Sequence, residues 1–222
     1  MNIVKKYRSR NKKSYVLLFS ILFLCIFLLT SLFVVKDSYD LYRINAAKSF
    51  YGDYDVKYTT FAYTQNKEYT DTYLDSLSYE TPMPYVYKGT FDSLVSTTDF
   101  SVYPIRLIEG EYPKSNEVLI HKKYQNKYKV QDTIKLYSDQ DSKVYTISGV
   151  YENLNNQLVN YSFYTATNSK KDAMYVYANL KDKSAIATLP VQDYELNSDM
   201  VVAKYHLNVE YENIFKFLIL FM

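Results

Sequence analysis

Residues 14–35 are a run of 22 residues without one charged side chain, and the thirteen residues before it carry Lys5, Lys6, Arg8, Arg10, Lys12 and Lys13 with no acid. As a helix the run would be about 33 Å long, enough to cross a hydrocarbon core of about 30 Å. Lipid cannot satisfy an exposed backbone, so a helix is the only way a single segment can span it. The basic flank sets the direction: residues 1–13 are expected in the cytoplasm, and everything after residue 35 outside. A cleavable signal peptide would have a shorter apolar region, about 7–15 residues, ending in a small-x-small site. This run exits through Leu32, Phe33, Val34 and Val35, all bulky, so an uncleaved anchor is expected.

The chain carries +2 overall, but that sign comes from the tail. Residues 36–213 hold 19 basic and 24 acidic side chains, a balance of −5. Such a domain has no electrostatic footprint for nucleic acid, and the partner implied by the sequence is the lipid bilayer. Cys25, the only cysteine, lies within the apolar run, so the outer domain must rely on its core rather than on disulfides. Heavy use of Lys, Asn, Tyr, Ile and Phe with little Gly suits an AT-rich bacterial genome. Residues 214–222, Ile-Phe-Lys-Phe-Leu-Ile-Leu-Phe-Met, would cover about 14 Å as a helix, under half a bilayer. They are expected to be the start of a second membrane helix that is cut short; the other reading is an apolar tail docked on the outer domain.

Between these ends the pattern predicts a mixed α+β domain, richer in strand than helix. The membrane helix is expected to continue through residues 38–50 and to stop at Gly52. Residues 53–63 alternate as a strand. Tyr69, Tyr73, Leu74 and Leu77 have helical spacing within 66–77, and Pro82 and Pro84 then break the chain before a strand at Tyr85. Residues 100–108 read as a strand, 109–113 as a turn, 117–121 as a short apolar strand and 122–128 as a short amphipathic helix. Residues 132–137 and 143–151 are expected to pair as a hairpin through 138–142. A strand over 173–178 and a helix from about residue 197 complete the domain. The 27 tyrosines suit half-buried strands, where the ring packs and the hydroxyl reaches a polar partner; a sugar-binding platform is the competing use.

Residues that could carry chemistry are few. His121 ends an apolar strand beside Lys122 and Lys123, and His206 lies in Lys204-Tyr-His-Leu; neither has a ligand-type neighbour at helical spacing. Asp53/Asp55 and Asp139/Asp141 are close acid pairs. The first is expected to point to one face of a strand, but neither has the oxygen-rich, Gly-centred loop of a calcium site. No nucleophile elbow, phosphate loop or metalloprotease motif occurs, and Asn160-Tyr-Ser matches a glycosylation pattern by chance. No catalytic, cofactor-binding or metal-binding residue is assigned, no cofactor is expected, and the chain is not expected to be an enzyme.

Several segments resemble the N-terminal half of an FtsX/MacB-type ABC transporter permease. Ser49-Phe-Tyr-Gly-Asp-Tyr-Asp-Val-Lys-Tyr is similar to the segment after the first membrane helix in the Gram-positive branch. Leu107-Ile-Glu-Gly-Glu-Tyr-Pro-Lys-Ser-Asn-Glu-Val-Leu-Ile resembles the family's turn-and-strand signature. Tyr128-Lys-Val-Gln-Asp-Thr-Ile-Lys-Leu and Tyr145-Thr-Ile-Ser-Gly-Val resemble the hairpin after it, and Tyr194-Glu-Leu-Asn-Ser-Asp-Met the approach to the second membrane helix. Glu111 stands where the family turn often has Arg. Gln131 replaces a usual Gly, which implies a different turn there. The resemblance implies a permease, or a truncated or split piece of one. Its MacB-like outer domain would be coupled by mechanotransmission to a cytoplasmic ABC ATPase, with another permease chain as a further partner, in export, antimicrobial-peptide resistance or cell-envelope processes. The rival readings are a single-pass, membrane-anchored binding module and, third, a surface enzyme.

Overall fold

The computed structural model describes residues 12–65, 72–87, 90–137, 142–155, 161–182, 184–188 and 194–205. Two compact units are formed, residues up to 43 and residues 44–207. Helix α1, Lys12–Tyr51, is unbroken over 40 residues, about 60 Å. Over 14–35 it is apolar on all sides, as a lipid-facing helix must be rather than a soluble amphipathic one. Several hydroxyls of the helix bond back to its own carbonyls. Ser20 donates to the Val16 carbonyl, Thr30 and Ser31 to that of Phe27, and Ser38 to that of Val34. The helix ends at Gly52, whose φ of 86° closes it and brings its Cα against the Val102 carbonyl; a Cβ there would lie 2.1 Å from that oxygen.

The second unit is α+β. Ten strands are described: β1 Val56–Thr59, β2 Leu74–Tyr87, β3 Thr90–Thr97, β4 Ile105–Gly110, β5 Glu117–His121, β6 Thr133–Tyr137, β7 Ser142–Asn153, β8 Phe163–Ala166, β9 Tyr175–Leu180 and β10 Tyr194–Leu196. Short helices α2 Thr60–Gln65, α3 Ser184–Thr188 and α4 Ser198–Tyr205 join them. The sheet order is β10-β1-β9-β2-β3-β8-β5-β7-β4, with β6 paired to both β7 and β2. Because β6 bridges β7 back to β2 at Val86↔Tyr137, the strands β2-β3-β8-β5-β7-β6 form a closed ring. Leu94, Val118, Ile120, Ile134, Leu136, Ile147 and Phe163, with Tyr124 stacked on Phe163, fill a core drawn from its strands. Closure satisfies strand edges that an open sheet would leave bare.

Several sequence readings hold. The helix stop at Gly52, strand 117–121, the 133–137/142–153 hairpin and the helix after Asn197 are all present. Others need correction. The strand expected over 53–63 ends at Thr59 and turns into α2. The helix expected to 77 is replaced from Leu74 on by β2; residues 66–71 lie outside the described residues. β2 then runs through both prolines. The Tyr79 carbonyl accepts from Thr98 on the β3 side, and that of Glu80 from Met174 on the β9 side. By the two-residue period Pro82 and Pro84 share the direction of Glu80. β9 has already ended there, so no ladder donor is missing. Residues 100–104 are a turn, and the strand begins only at Ile105 and runs through Gly110. Of the helix expected over 122–128 only a 3-10 turn, Lys122–Tyr124, forms. The apolar C-terminal segment 214–222 and the hairpin turn 138–141 lie outside the described residues.

The segments around Gly110 and Gly149 face one another, Gly110↔Gly149, between two bulges: Ile108 drops out of the β4–β7 ladder and Ser148 out of the β5–β7 ladder. A Cβ on Gly110 would sit 2.1 Å from the Ser148 carbonyl, and one on Gly149 2.6 Å from that of Glu109. The expected change of turn at Gln131 does not occur: Gln131 itself takes φ 76°, the backbone that Gly favours. Its N–H donates to the Ile147 carbonyl, and the Asp132 carboxylate accepts from Lys129 N at 2.8 Å. These bonds hold an unfavourable conformation in place. Gln131→Gly is expected to stabilise the domain by about 0.5 kcal/mol, relief of left-handed strain outweighing the lost side chain. A urea midpoint that rises with unchanged slope checks this; a fall would refute it.

Candidate functional site

Among the described residues no group of three or more His, Cys, Asp or Glu side chains converges as a metal site. His121 is half-buried and structural. Its Nδ1 accepts from Lys123 N at 3.2 Å, capping the 3-10 turn, and its ring stands edge-on to Tyr151. Burial, then the Lys123 and Lys122 ammonium groups, holds its pKa below the usual imidazole value, so it is neutral near pH 7. His206, Asp139, Asp141 and Asn160 lie outside the described residues. Asp53 and Asp55 do not share a face: Asp53 Oδ2 pairs with Lys48 at 2.8 Å, while Asp55 is wholly buried and turned to Lys204. The backbone leaves helix α1 through Gly52 here, and β1 starts only at Val56, so the strand alternation assumed for the pair does not apply.

Two buried carboxylates organise the domain instead: Glu80, which the sequence did not mark, and Asp55, marked only as one of a close acid pair. Glu80 on β2 is 0% exposed. Its Oε2 accepts from Tyr103 at 2.5 Å and Tyr177 at 2.6 Å, and its Oε1 from Tyr161 at 2.9 Å. The donors come from the turn before β4, from β9 and from the approach to β8. Tyr164 and Tyr151 pack edge-on around them, and Tyr151 donates to the Tyr161 carbonyl. These five tyrosines are thus spent on packing, on Glu80 and on one backbone carbonyl.

Burial, then the nearby Glu80 charge, raises the phenol pKa values of Tyr103, Tyr161 and Tyr177 well above 10. The partly buried Tyr54 is raised to about 12 by burial, then Glu195 and Glu80. Folding therefore favours the neutral phenols. That contribution is complete below the unfolded value of about 10 and is lost as pH rises through the folded values. We expect alkaline unfolding to begin above about pH 10. The buried phenols should ionise, read as absorbance near 295 nm, only together with that unfolding. A folded chain whose tyrosines all titrate together near pH 10 would contradict the arrangement.

The second carboxylate, Asp55, is 0% exposed. Its Oδ2 accepts from Leu180 N and Lys204 Nζ, each at 2.8 Å, and from the Tyr205 hydroxyl at 3.1 Å. The Asn197 carboxamide donates to the carbonyls of Tyr51 and Tyr54, and its oxygen accepts from Met200 N as the cap of α4. Ala47, Met200 and Ala203 bury the contact, with Ile44 and Tyr51 against them. The end of α1, the start of β1 and helix α4 are thus fastened to one another by Asn197, Asp55 and Lys204.

No family model matches the chain, and no curated protein matches it. Solved structures similar to it include a domain of a protein described as a permease, from Porphyromonas gingivalis. That match has 14% identity over 58% of this chain and 64% of its own, with a TM-score of 0.38. Another is the extracellular domain of the noncanonic ABC-type transporter YknZ from Gram-positive bacteria, at 13% identity over 60% of this chain and 78% of its own, with a TM-score of 0.40. The chain spans less than two thirds of the first of these. Any functional reading rests on this chain's own residues.

Proposed function

We propose that the chain is a permease subunit of an FtsX/MacB-type ABC transporter, or a piece of one, with residues 1–13 cytoplasmic and the α+β domain outside the cell. The observation that carries the reading is α1. An all-round apolar stretch, entered through a basic flank, continues without a break to Tyr51, and the structural unit of residues 44–207 begins within the same helix. A chain built to pass ATPase motion outward needs such a connector, stiff over its length. Two further observations support it. The segments that resemble the family signatures are adjacent in the fold, through Gly110↔Gly149 and the β6–β7 hairpin. The buried carboxylates Glu80 and Asp55 are bound to tyrosines, a lysine and the backbone of the domain itself. The proposed partners are the bilayer, a cytoplasmic ABC ATPase and a further permease chain.

The test is to tag the chain in its native cell, solubilise the membranes and identify what comes with it. A nucleotide-binding ATPase whose recovery is lost when residues 1–13 and the membrane helix are exchanged for an unrelated anchor supports the reading. Recovery of the chain without an ATPase, together with an outward-facing domain in a reporter-fusion assay, would make it a single-pass binding module instead.

A further inference from the structure

The closed strand ring opens at one mouth. β8 pairs with β5 only at Tyr164↔Leu119 and Phe163↔Ile120. Beyond Tyr164 the two strands splay, bridged by the Thr165 hydroxyl donating to the Glu117 carbonyl at 2.7 Å. The gap is a cleft of about 380 Å³ that also reaches β3 and β7. Its wall is rich in hydroxyls and amides. Thr165 is committed to the bridge, and the Thr167 hydroxyl accepts from Ser169 N at 3.0 Å. The hydroxyls of Ser96 and Ser115 and the carboxamides of Asn116 and Asn168 are not used by the protein; none of these side chains has a hydrogen bond to another described group. Ser96 sits on β3, and although the residue is only 8% exposed it lines the cleft, where its hydroxyl is open to a bound molecule.

We propose that this cleft is a binding site for an uncharged saccharide of about two sugar units. The volume lies at the lower end of the range for small-molecule sites, and mouths of closed strand rings are a common place for them. Four uncommitted groups that can each donate and accept match the hydroxyls of a sugar, and the apolar Met83 and Ala166 offer a surface to its C–H face. Charge selects against other ligands. No carboxylate lies among the lining residues, so a metal ion has no anionic ligand there. The one lining cation, Lys143, stands 4.9 Å over the Tyr145 ring and is a single charge, too few to cradle a phosphate. The inference needs no ATPase and stands apart from the permease reading.

The experiment is calorimetric titration of the full chain, held in a zwitterionic detergent with no sugar headgroup, with N,N′-diacetylchitobiose. Saturable one-to-one binding with Kd on the order of 1 mM or tighter is expected. Asn116→Gly suits the φ of 65° at that residue and removes one carboxamide; it should weaken binding by about three- to tenfold, as should Asn168→Ala. Ser115→Trp, at an exposed turn, should fill the mouth and abolish binding without moving the thermal midpoint. Absence of saturation well above a millimolar overturns the proposal, and so does binding that Ser115→Trp leaves intact.

Discussion

Replacing Glu80 with Leu is expected to cost the domain about 4 kcal/mol, enough to leave much of a marginal fold unfolded at ambient temperature. The loss does not come from the carboxylate's own burial, which is unfavourable. It comes from Tyr103, Tyr161 and Tyr177, whose hydroxyls would remain buried with nothing to donate to; each such group costs about 1–3 kcal/mol. Glu80→Gln should lie between, at about 2 kcal/mol, because one amide oxygen can still accept while the amide nitrogen confronts a phenol. The decisive comparison is the variant that also carries Tyr103→Phe, Tyr161→Phe and Tyr177→Phe. With every polar member removed, most of the lost stability should return, a coupling that independent sites would not show. Urea unfolding of the full chain in detergent measures all of these. A Glu80→Leu variant within 1 kcal/mol of the parent would remove the network from any role in stability.

Why this network escaped the sequence is a matter of distance along the chain. Glu80 meets partners 23, 81 and 97 residues away, and around it Tyr73, Leu74 and Leu77 mimic a helical period. What local pattern could carry was legible: the apolar run, the stop at Gly52 and the alternation of β6 and β7. What depended on which strand lies beside which was not. Pro82 reads as a breaker until β9 is seen to end at the register of Glu80. Ring closure rests on one pair, Val86↔Tyr137, that no window of sequence contains. Gln131 shows the converse. Its side chain argued against a left-handed turn, yet bonds from Ile147 and Asp132 impose one.

The second large effect should be local rather than global. Lys204→Met leaves Asp55 buried with only Leu180 N and the Tyr205 hydroxyl as donors, and its Oδ1 already lacks a partner among the described residues. Removing one member of a buried ion pair costs about 3–5 kcal/mol, because an uncompensated charge stays behind. The chain can escape part of that cost by releasing α4, which only eight residues hold, so that water reaches Asp55. Hydrogen exchange should then speed up over 198–205 and at Leu180 N while β5, β6 and β7 keep their protection. Asp55→Leu together with Lys204→Met should restore it, since no charge remains to be solvated. The distinction bears on the proposed function, because α4 precedes the apolar residues 214–222 in the chain, and Asn197 fastens it to the end of α1 while Asp55 fastens it to the start of β1. If the domain passes motion between membrane segments, Lys204→Met should uncouple it while leaving the strand ring folded. Uniform acceleration of exchange across the whole sheet would show instead that Asp55 is a general stability element, with no separate role at the junction of α1 and α4.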